Sequence, residues 1–260
     1  MRVLYHHRTQ GEEPESIHIG SIVPALRAQG HEVRVVGPVD IERQAHEPSG
    51  PAAGARPHRL VRIKQAVPRA VFELLQVAYN LVAWRLLDRA VREFKPDLVY
   101  ERYALYGFAG GMVARRRGVP FILEVNTPYA QAWAKYYGLH LPRLARWLER
   151  RTLCAADHVI TVTHAQVGLL HDIGVRPGRI TVSHNAIDPL WFDQARQHDP
   201  ALRERLGLKG TVIGFVGTMN RWQGIPKFGA VVASVLARHP DASFLFVGDG
   251  EFRQALEDAC

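Results

Sequence analysis

Cysteine is scarce in this chain. Its two copies, Cys154 and Cys260, lie far apart, which excludes a disulfide framework and a thiolate metal cluster and points to a reducing compartment. Long apolar runs are missing too. The N-terminal MRVLYHHRTQ is far too short in apolar residues for a signal peptide or a membrane span, so a cytosolic protein is expected. No GxGxxG follows the first apolar run. The first glycine there is Gly11, trailed by Glu12 and Glu13, which argues against a nicotinamide dehydrogenase. Acidic residues are in deficit, 25 against 33 Lys and Arg, and the formal charge is +8. The excess is uneven: between Arg56 and Lys95 nine basic residues face three acidic ones. Such a surplus calls for an anionic partner, either a nucleotide, a phosphorylated lipid or a membrane surface. Nucleic acid is disfavoured, because no zinc-finger or RNP-type motif accompanies the basic stretch.

What is present is an alternation of short apolar runs and amphipathic stretches. Strands are expected at Arg2 to Tyr5, His31 to Val36, Asp97 to Tyr100, Pro120 to Val125, His158 to Val162 and Arg179 to Ser183. Helical patterns fill Ile17 to Gln29, Val67 to Phe94, Leu105 to Arg117, Leu144 to Ala156 and the stretch to Ile173 that Thr163 caps. Tyr129 to Tyr137 fits either period, and Asp40 to Arg59, rich in Pro, Gly and Ala, reads as a mobile loop. A second set begins at Val212 to Val216, meets Gly217, and continues through an amphipathic Lys227 to Arg238 to a run, Phe244 to Val247, that ends in Gly248-Asp249-Gly250. Strand and helix alternate throughout, the pattern of a doubly wound α/β fold. Roughly two βα units make up the second set, where a stable sheet usually has about four to six strands, so the chain reads as a C-terminally truncated fragment of a two-domain enzyme.

Five short motifs fall in one order. They are Gly30-His31-Glu32-Val33, Ala155 to Thr163 (AADHVITVT), Ile180 to Asp188 (ITVSHNAID) before Phe192, Gly214-Phe215-Val216-Gly217, and Val247-Gly248-Asp249-Gly250. Together they make the chain resemble glycosyltransferase family 4, the retaining nucleotide-sugar enzymes of the GT-B fold. Tyr5 to Thr9 (YHHRT), His18-Ile19, Tyr100 to Tyr103 (YERY) and Glu124 to Pro128 (EVNTP) look like a bacterial subgroup associated with exopolysaccharide and exosortase loci. The resemblance implies an acceptor-side Rossmann-like domain over residues 1–190, a linker over 191–209, and a partial nucleotide-sugar-binding domain over 210–260. It implies two such domains facing each other across a cleft, transfer from a nucleoside-diphosphate sugar to a saccharide or lipid-linked acceptor, and no metal or other cofactor. The family's paired glutamates, which hold donor sugar and ribose, would fall beyond residue 260.

The chemistry of such a transfer selects the candidate residues. Breaking the anomeric bond leaves negative charge on the diphosphate, which backbone N–H groups of a Gly turn, a helix N-terminus and a cation stabilise. By the resemblance, Gly217, Thr218, Gln223, Gly248 and Gly250 form the donor loops and Arg221 is the cation; a solvated loop arginine is the plain alternative. Relatives commonly carry Arg and Lys where this chain has Thr218 and Gln223. Asp249 and Glu251 read better as parts of a tight strand-to-helix turn. On the acceptor side, His6, His7, Arg8 and Thr9 follow the first strand, and Arg102 and Tyr103 the third. Glu124 and Asn126 follow the fourth strand as catalytic candidates. Glu124 either acts as a base or orients the acceptor, or else simply pairs with Arg102. Asn126 hydrogen-bonds sugar hydroxyls but is no base near neutral pH. Two rivals stay open: a GT-B sugar-nucleotide epimerase, and a non-catalytic fragment that binds acceptor or membrane. The basic, apolar helix before Lys95 is either a packed helix with a solvated basic face or a site of peripheral contact with an anionic membrane on its cytoplasmic side.

Overall fold

In the computed structural model the described residues are 1–9, 15–40, 67–136, 138–186 and 199–259. The expected loop from Asp40 to Arg59 lies outside them apart from Asp40, as do Gln10, Ile187, Asp188 and Phe192. The chain divides into two compact units, Met1–Ala186 and Ile187–Cys260.

The first unit is built on a six-stranded, all-parallel sheet in the order β2-β1-β3-β4-β5-β6. Its elements are β1 (Arg2–His6), α1 (Glu15–Ala28), β2 (Glu32–Val36), α2 (Arg69–Phe94), β3 (Leu98–Arg102) and α3 (Ala109–Arg117), followed by β4 (Phe121–Val125), α4 (Tyr129–Tyr136), α5 (Pro142–Ala155), β5 (His158–Thr161), α6 (His164–Ile173) and β6 (Ile180–Val182). Parallel strands need helical crossovers, and both faces are covered. One face buries Val3, Tyr5 and Val33 beneath Ile19 and Val23 of α1. The other buries Leu4, Val99, Leu123 and Val159 against Ala83, Leu87, Val91 and Phe94 of α2 and Val113 of α3.

Several boundaries moved for identifiable reasons. The helix expected from Leu105 starts only at Ala109, because Tyr106 takes a positive φ of 65° and cannot continue a right-handed helix. The Asn80 side chain then caps the new start, its Oδ1 accepting from Phe108 N at 2.9 Å and Ala109 N at 3.1 Å. Helix α2 begins at Arg69, after Pro68, and ends on Lys95 in the left-handed region (φ 48°), since Pro96 disfavours a helical residue before it. The undecided segment from Tyr129 is the helix α4. Thr163 caps α6 as expected, accepting from Ala165 N at 3.4 Å.

The second unit contains α7 (Leu202–Arg205), β7 (Val212–Val216), α8 (Phe228–Leu236), β8 (Ser243–Val247) and α9 (Arg253–Glu257). Strands β7 and β8 pair in parallel, and Met219, Ile225 and Leu256 form a small core with Phe215, Phe228 and Phe246 around it. The expected helix from Lys227 begins one residue later, after a 3-10 turn over Ile225–Lys227.

Candidate functional site

Strand order decides where the first unit can bind. The chain moves outward from β1 in both directions, to β2 on one side and β3 on the other, so the crossovers diverge and leave a crevice at the carboxyl ends of β1 and β3. His6 and Glu101 are register partners at those ends. The His6 Nδ1 and a Glu101 carboxylate oxygen are 2.8 Å apart, and the two side chains are only 3% and 1% exposed. Gly110, in the first turn of α3, makes room for the acid: a Cβ there would lie 1.6 Å from Glu101 Oε2. Glu101 therefore rests against the positive end of a helix dipole.

His7 follows on β1 and is fully buried, its ring lying where a side chain at Gly37 would have to go. Neither ring nitrogen has an aligned hydrogen-bond partner among the described residues. Burial, and then the neighbouring His6, lower its pKa to about 4, so the ring is neutral near pH 7. Arg8 turns to α2, donating to Gln76 O at 2.8 Å with its guanidinium 4.9 Å from the centre of the Tyr79 ring; its Nη1 is buried and unpartnered. Thr9 is buried beside them.

The second polar group sits on the α1 side of β3 and β4. Arg102 and Glu124 are register partners, and Arg102 Nη1 donates to Glu124 Oε1 at 2.8 Å. Tyr100 donates to Glu124 Oε2 at 3.0 Å while its ring stacks on Tyr5. His18 of α1 brings Nε2 within 2.8 Å of Glu124 Oε1. Asn126 closes the group. With its amide oriented by its partners, the oxygen accepts from Arg102 Nη2 at 2.6 Å and the nitrogen donates to Glu124 Oε1 at 3.2 Å. Its backbone carbonyl accepts from Gln166 of α6. Burial pushes the Glu124 carboxyl up, but His18, Arg102 and Tyr100 together outweigh it and the net shift is downward. Glu124 is thus a carboxylate held ionised, and the pairing with Arg102 is formed.

Of the residues singled out from the sequence, His6, His7, Arg8 and Thr9 stand at the end of β1, and Arg102, Glu124 and Asn126 form one network. Tyr103 does not join it. It is buried, donates to Glu149 at 2.9 Å and stacks on Tyr129, which makes it part of the packing between β3 and the helices. Tyr100 and Glu101 belong to the aromatic and charged end of β3 that the sequence marks as suited to saccharides, whereas in sequence His18 carries no role of its own. The available signal was a charged or polar residue at a strand end, which is where such sheets bind ligands.

In the second unit the two Gly loops lie back to back. Gly217 N donates to Val247 O at 3.0 Å and Met219 N to Asp249 O at 2.8 Å. A Cβ on Gly248 would meet Gly217 O at 1.9 Å, so only glycine permits this approach. Gln223 is engaged within its own loop. It forms a capping box with Asn220, and its Oε1 accepts from Thr218 Oγ1 at 2.8 Å. Arg221 is exposed, 6.0 Å from the centre of the Phe252 ring. Asp249 caps its own turn, accepting from Gly250 N at 2.8 Å. Beside these loops a cavity of 350 Å³ is lined by Met219, Val232, Phe244, Phe246, Gly248 and Leu256, among others. Among the described residues no group of three His, Cys, Asp or Glu side chains is placed to hold a metal.

A 2-deoxystreptamine glucosyltransferase from Streptomyces kanamyceticus is 31% identical over 158 residues, 58% of this chain and 41% of that protein. The Anabaena protein HepE, solved in complex with UDP, superposes with a TM-score of 0.59 at 14% identity over 99% of this chain and 64% of its own. The UDP-GlcNAc 2-epimerase of Neisseria meningitidis, bound to UDP-GlcNAc, gives 0.53 at 16% identity over 100% of this chain and 69% of its own. At such identities these structures speak for the fold, a GT-B-like one. The chain thus spans about two fifths of the Streptomyces relative's length. The profile described as Glycosyltransferase Family 4 matches residues 16–190, most of the chain, and the chain belongs to that family.

Proposed function

We propose that this chain supplies the acceptor side and part of the donor side of a retaining glycosyltransferase. The enzyme would move a sugar from a nucleoside-diphosphate sugar to a saccharide or lipid-linked acceptor in bacterial polysaccharide assembly, at the cytoplasmic face of the membrane. The observation that carries the reading is the Arg102–Glu124–Asn126 network beside the His6–Glu101 pair, at the strand ends where a doubly wound sheet binds ligands. A sugar acceptor needs fixed donors and acceptors for its hydroxyls. Glu124, kept ionised, accepts from a hydroxyl and orients it, and Asn126 offers the amide beside it.

Glu124 does not serve as the base in this reading, because its charged and hydrogen-bonding neighbours outweigh burial and hold its carboxyl below the ordinary range, which makes it a weak proton acceptor. In a retaining transfer the departing phosphate takes the acceptor's proton, so no strong enzymic base is called for. The glycine turns at Gly217 and Gly248 leave room for a diphosphate to approach the backbone, and exposed Arg221 supplies the cation that Thr218 and Gln223 lack. UDP-glucose, bound by HepE in a solved complex, is the first donor to try, and UDP, bound in another, is the leaving group it would release. The two-stranded sheet of the second unit, with Val216 81% exposed, supports taking the chain as part of a longer transferase.

A second reading, a GT-B sugar-nucleotide epimerase, has the Neisseria structure in its favour, and it would use the buried carboxylates Glu101 and Glu124. Product analysis separates the two. The protein is incubated with labelled nucleotide-sugars and with saccharide or lipid-linked acceptors, and the products are resolved by mass spectrometry. Label on the acceptor supports transfer, and an epimerised nucleotide-sugar formed without acceptor overturns it.

A further inference from the structure

Asn126 stands just past the paired part of β4, whose last partner on β5 is Thr161, opposite Val125. A carbonyl beyond the end of a ladder has no strand N–H to bind, so its peptide plane is set by whatever else reaches it. Here that group is Gln166 of α6. Its Nε2 donates to Asn126 O, and its Oε1 accepts from Thr161 Oγ1 at 2.5 Å. Thr161 is fully buried, and its hydroxyl also lies 3.1 Å from Val125 O. Both ends of the Gln166 amide are committed, and one orientation alone satisfies them.

The far end of the same loop is fastened separately. Glu149 of α5 is buried and accepts from Ala130 N at 3.0 Å and from Tyr129 N, in the first turn of α4. A carboxylate there matches the positive end of that helix. Asn126, Thr127 and Pro128 span the gap between the two anchors, and the end that carries the polar network rests on Gln166. The tolerance at that end is small. The Asn126 amide must reach Arg102 Nη2 at 2.6 Å and Glu124 Oε1 at 3.2 Å together. A peptide plane that turns carries the Cα with it and opens one of the two bonds. Gln166 itself makes no hydrogen bond to Arg102 or Glu124 among the described residues, so it acts on the network through Asn126.

We propose that Gln166 is a positioning residue for the acceptor side of the transfer, fixing the Asn126 backbone so that the Asn126 amide meets an acceptor hydroxyl beside Glu124. The role rests on the transferase reading. Mere packing is the alternative, and the chemistry of the amide separates the two. Gln166→Glu keeps the shape and the bond from Thr161, but sets a carboxylate oxygen against the Asn126 carbonyl where a donor is needed. Gln166→Leu keeps the bulk and removes both bonds.

Two measurements test it. In the free protein, proton–nitrogen NMR follows the Asn126 side-chain amide and the Arg102 guanidinium. Both signals move in Q166E and Q166L, while circular dichroism stays that of wild type. In a transfer assay, UDP-glucose is the donor and methyl and octyl glucosides are the acceptors. The acceptor KM rises about tenfold in both variants, and the donor KM stays within about twofold. Q166L, which adds no charge, carries both measurements should Q166E not fold. The role is overturned if the Asn126 and Arg102 signals stay in place, or if the variants keep the wild-type acceptor KM. It is also overturned if donor and acceptor KM rise alike. Wild type that transfers nothing fails the transferase reading, and this role falls with it. Wild type that transfers, matched by both variants, fails Gln166 alone.

Discussion

His6 and Glu101 meet across the boundary between β1 and β3, ring nitrogen to carboxylate at 2.8 Å, and almost no solvent reaches either. The pair is possible because Gly110 leaves its first-turn position empty of side chain. Ala at 110 would place its Cβ 1.6 Å from an oxygen that His6 and the surrounding core hold fast. Gly110→Ala is therefore expected to cost about 3 kcal/mol. Gly168, inside α6, has nothing within 4 Å of its missing Cβ, so Gly168→Ala should stabilise by about 0.5–1 kcal/mol. Urea unfolding of the two variants checks the opposite signs.

His7 gives the fold a pH dependence of its own. Its folded pKa, about 4, lies below the ordinary 6.5, so the unfolded chain binds the proton more readily. The stability it confers is full above pH 6.5 and is lost as pH falls toward 4, by up to about 3 kcal/mol. Denaturation midpoints measured across that window should fall for wild type and fall much less for His7→Leu.

Arg102 and Glu124 are expected to behave as a coupled pair. Removing the guanidinium leaves a buried carboxylate without its main partner, so Arg102→Met should cost about 3–5 kcal/mol. Adding Glu124→Gln should recover part of that loss in a double-mutant cycle. Because the folded protein depresses the Glu124 pKa, its contribution is present above the unfolded carboxylate pKa and disappears as pH drops through the folded one. The Arg102→Met variant should lose that acid-side slope, below the His7 window.

The donor loops depend on glycine at one contact above all. Gly248→Ala places a Cβ 1.9 Å from the Gly217 carbonyl and asks an L-residue to hold φ at 149°. The loops should separate, and nucleotide-sugar affinity, measured calorimetrically, should drop by at least tenfold, which corresponds to about 1.4 kcal/mol. Arg221→Ala, on an exposed side chain, should weaken binding without lowering the unfolding midpoint.

Local patterns carried the element order well, because apolar strands bounded by Gly and Pro announce themselves within a few residues. The helix starts at Ala109 and Arg69 were less legible, since Tyr106 in a left-handed turn and a cap donated by Asn80 depend on tertiary contact. The site was legible in part. His6, Arg102, Glu124 and Asn126 lie at strand ends that sequence can mark. Glu101 is legible as part of a polar strand end, but its pairing with His6 is not, because register sets it opposite a histidine 95 residues away. Tyr103, one position after Arg102, looks like a sugar-stacking residue in sequence, yet Glu149 and Tyr129 claim it. Gln223, which suggested a diphosphate contact, holds its own loop with Asn220 and Thr218.

The central claim is that these strand ends and Gly loops bind an activated sugar and its acceptor. Backbone-amide NMR, with a nucleoside-diphosphate sugar titrated into the protein, reads it most directly. The account predicts shifts centred on Gly217 to Gln223 and Gly248 to Gly250, with added acceptor sugar moving Arg102, Glu124 and Asn126. Saturating nucleotide-sugar that leaves both Gly loops unmoved, with acceptor leaving the strand ends unmoved, would contradict it.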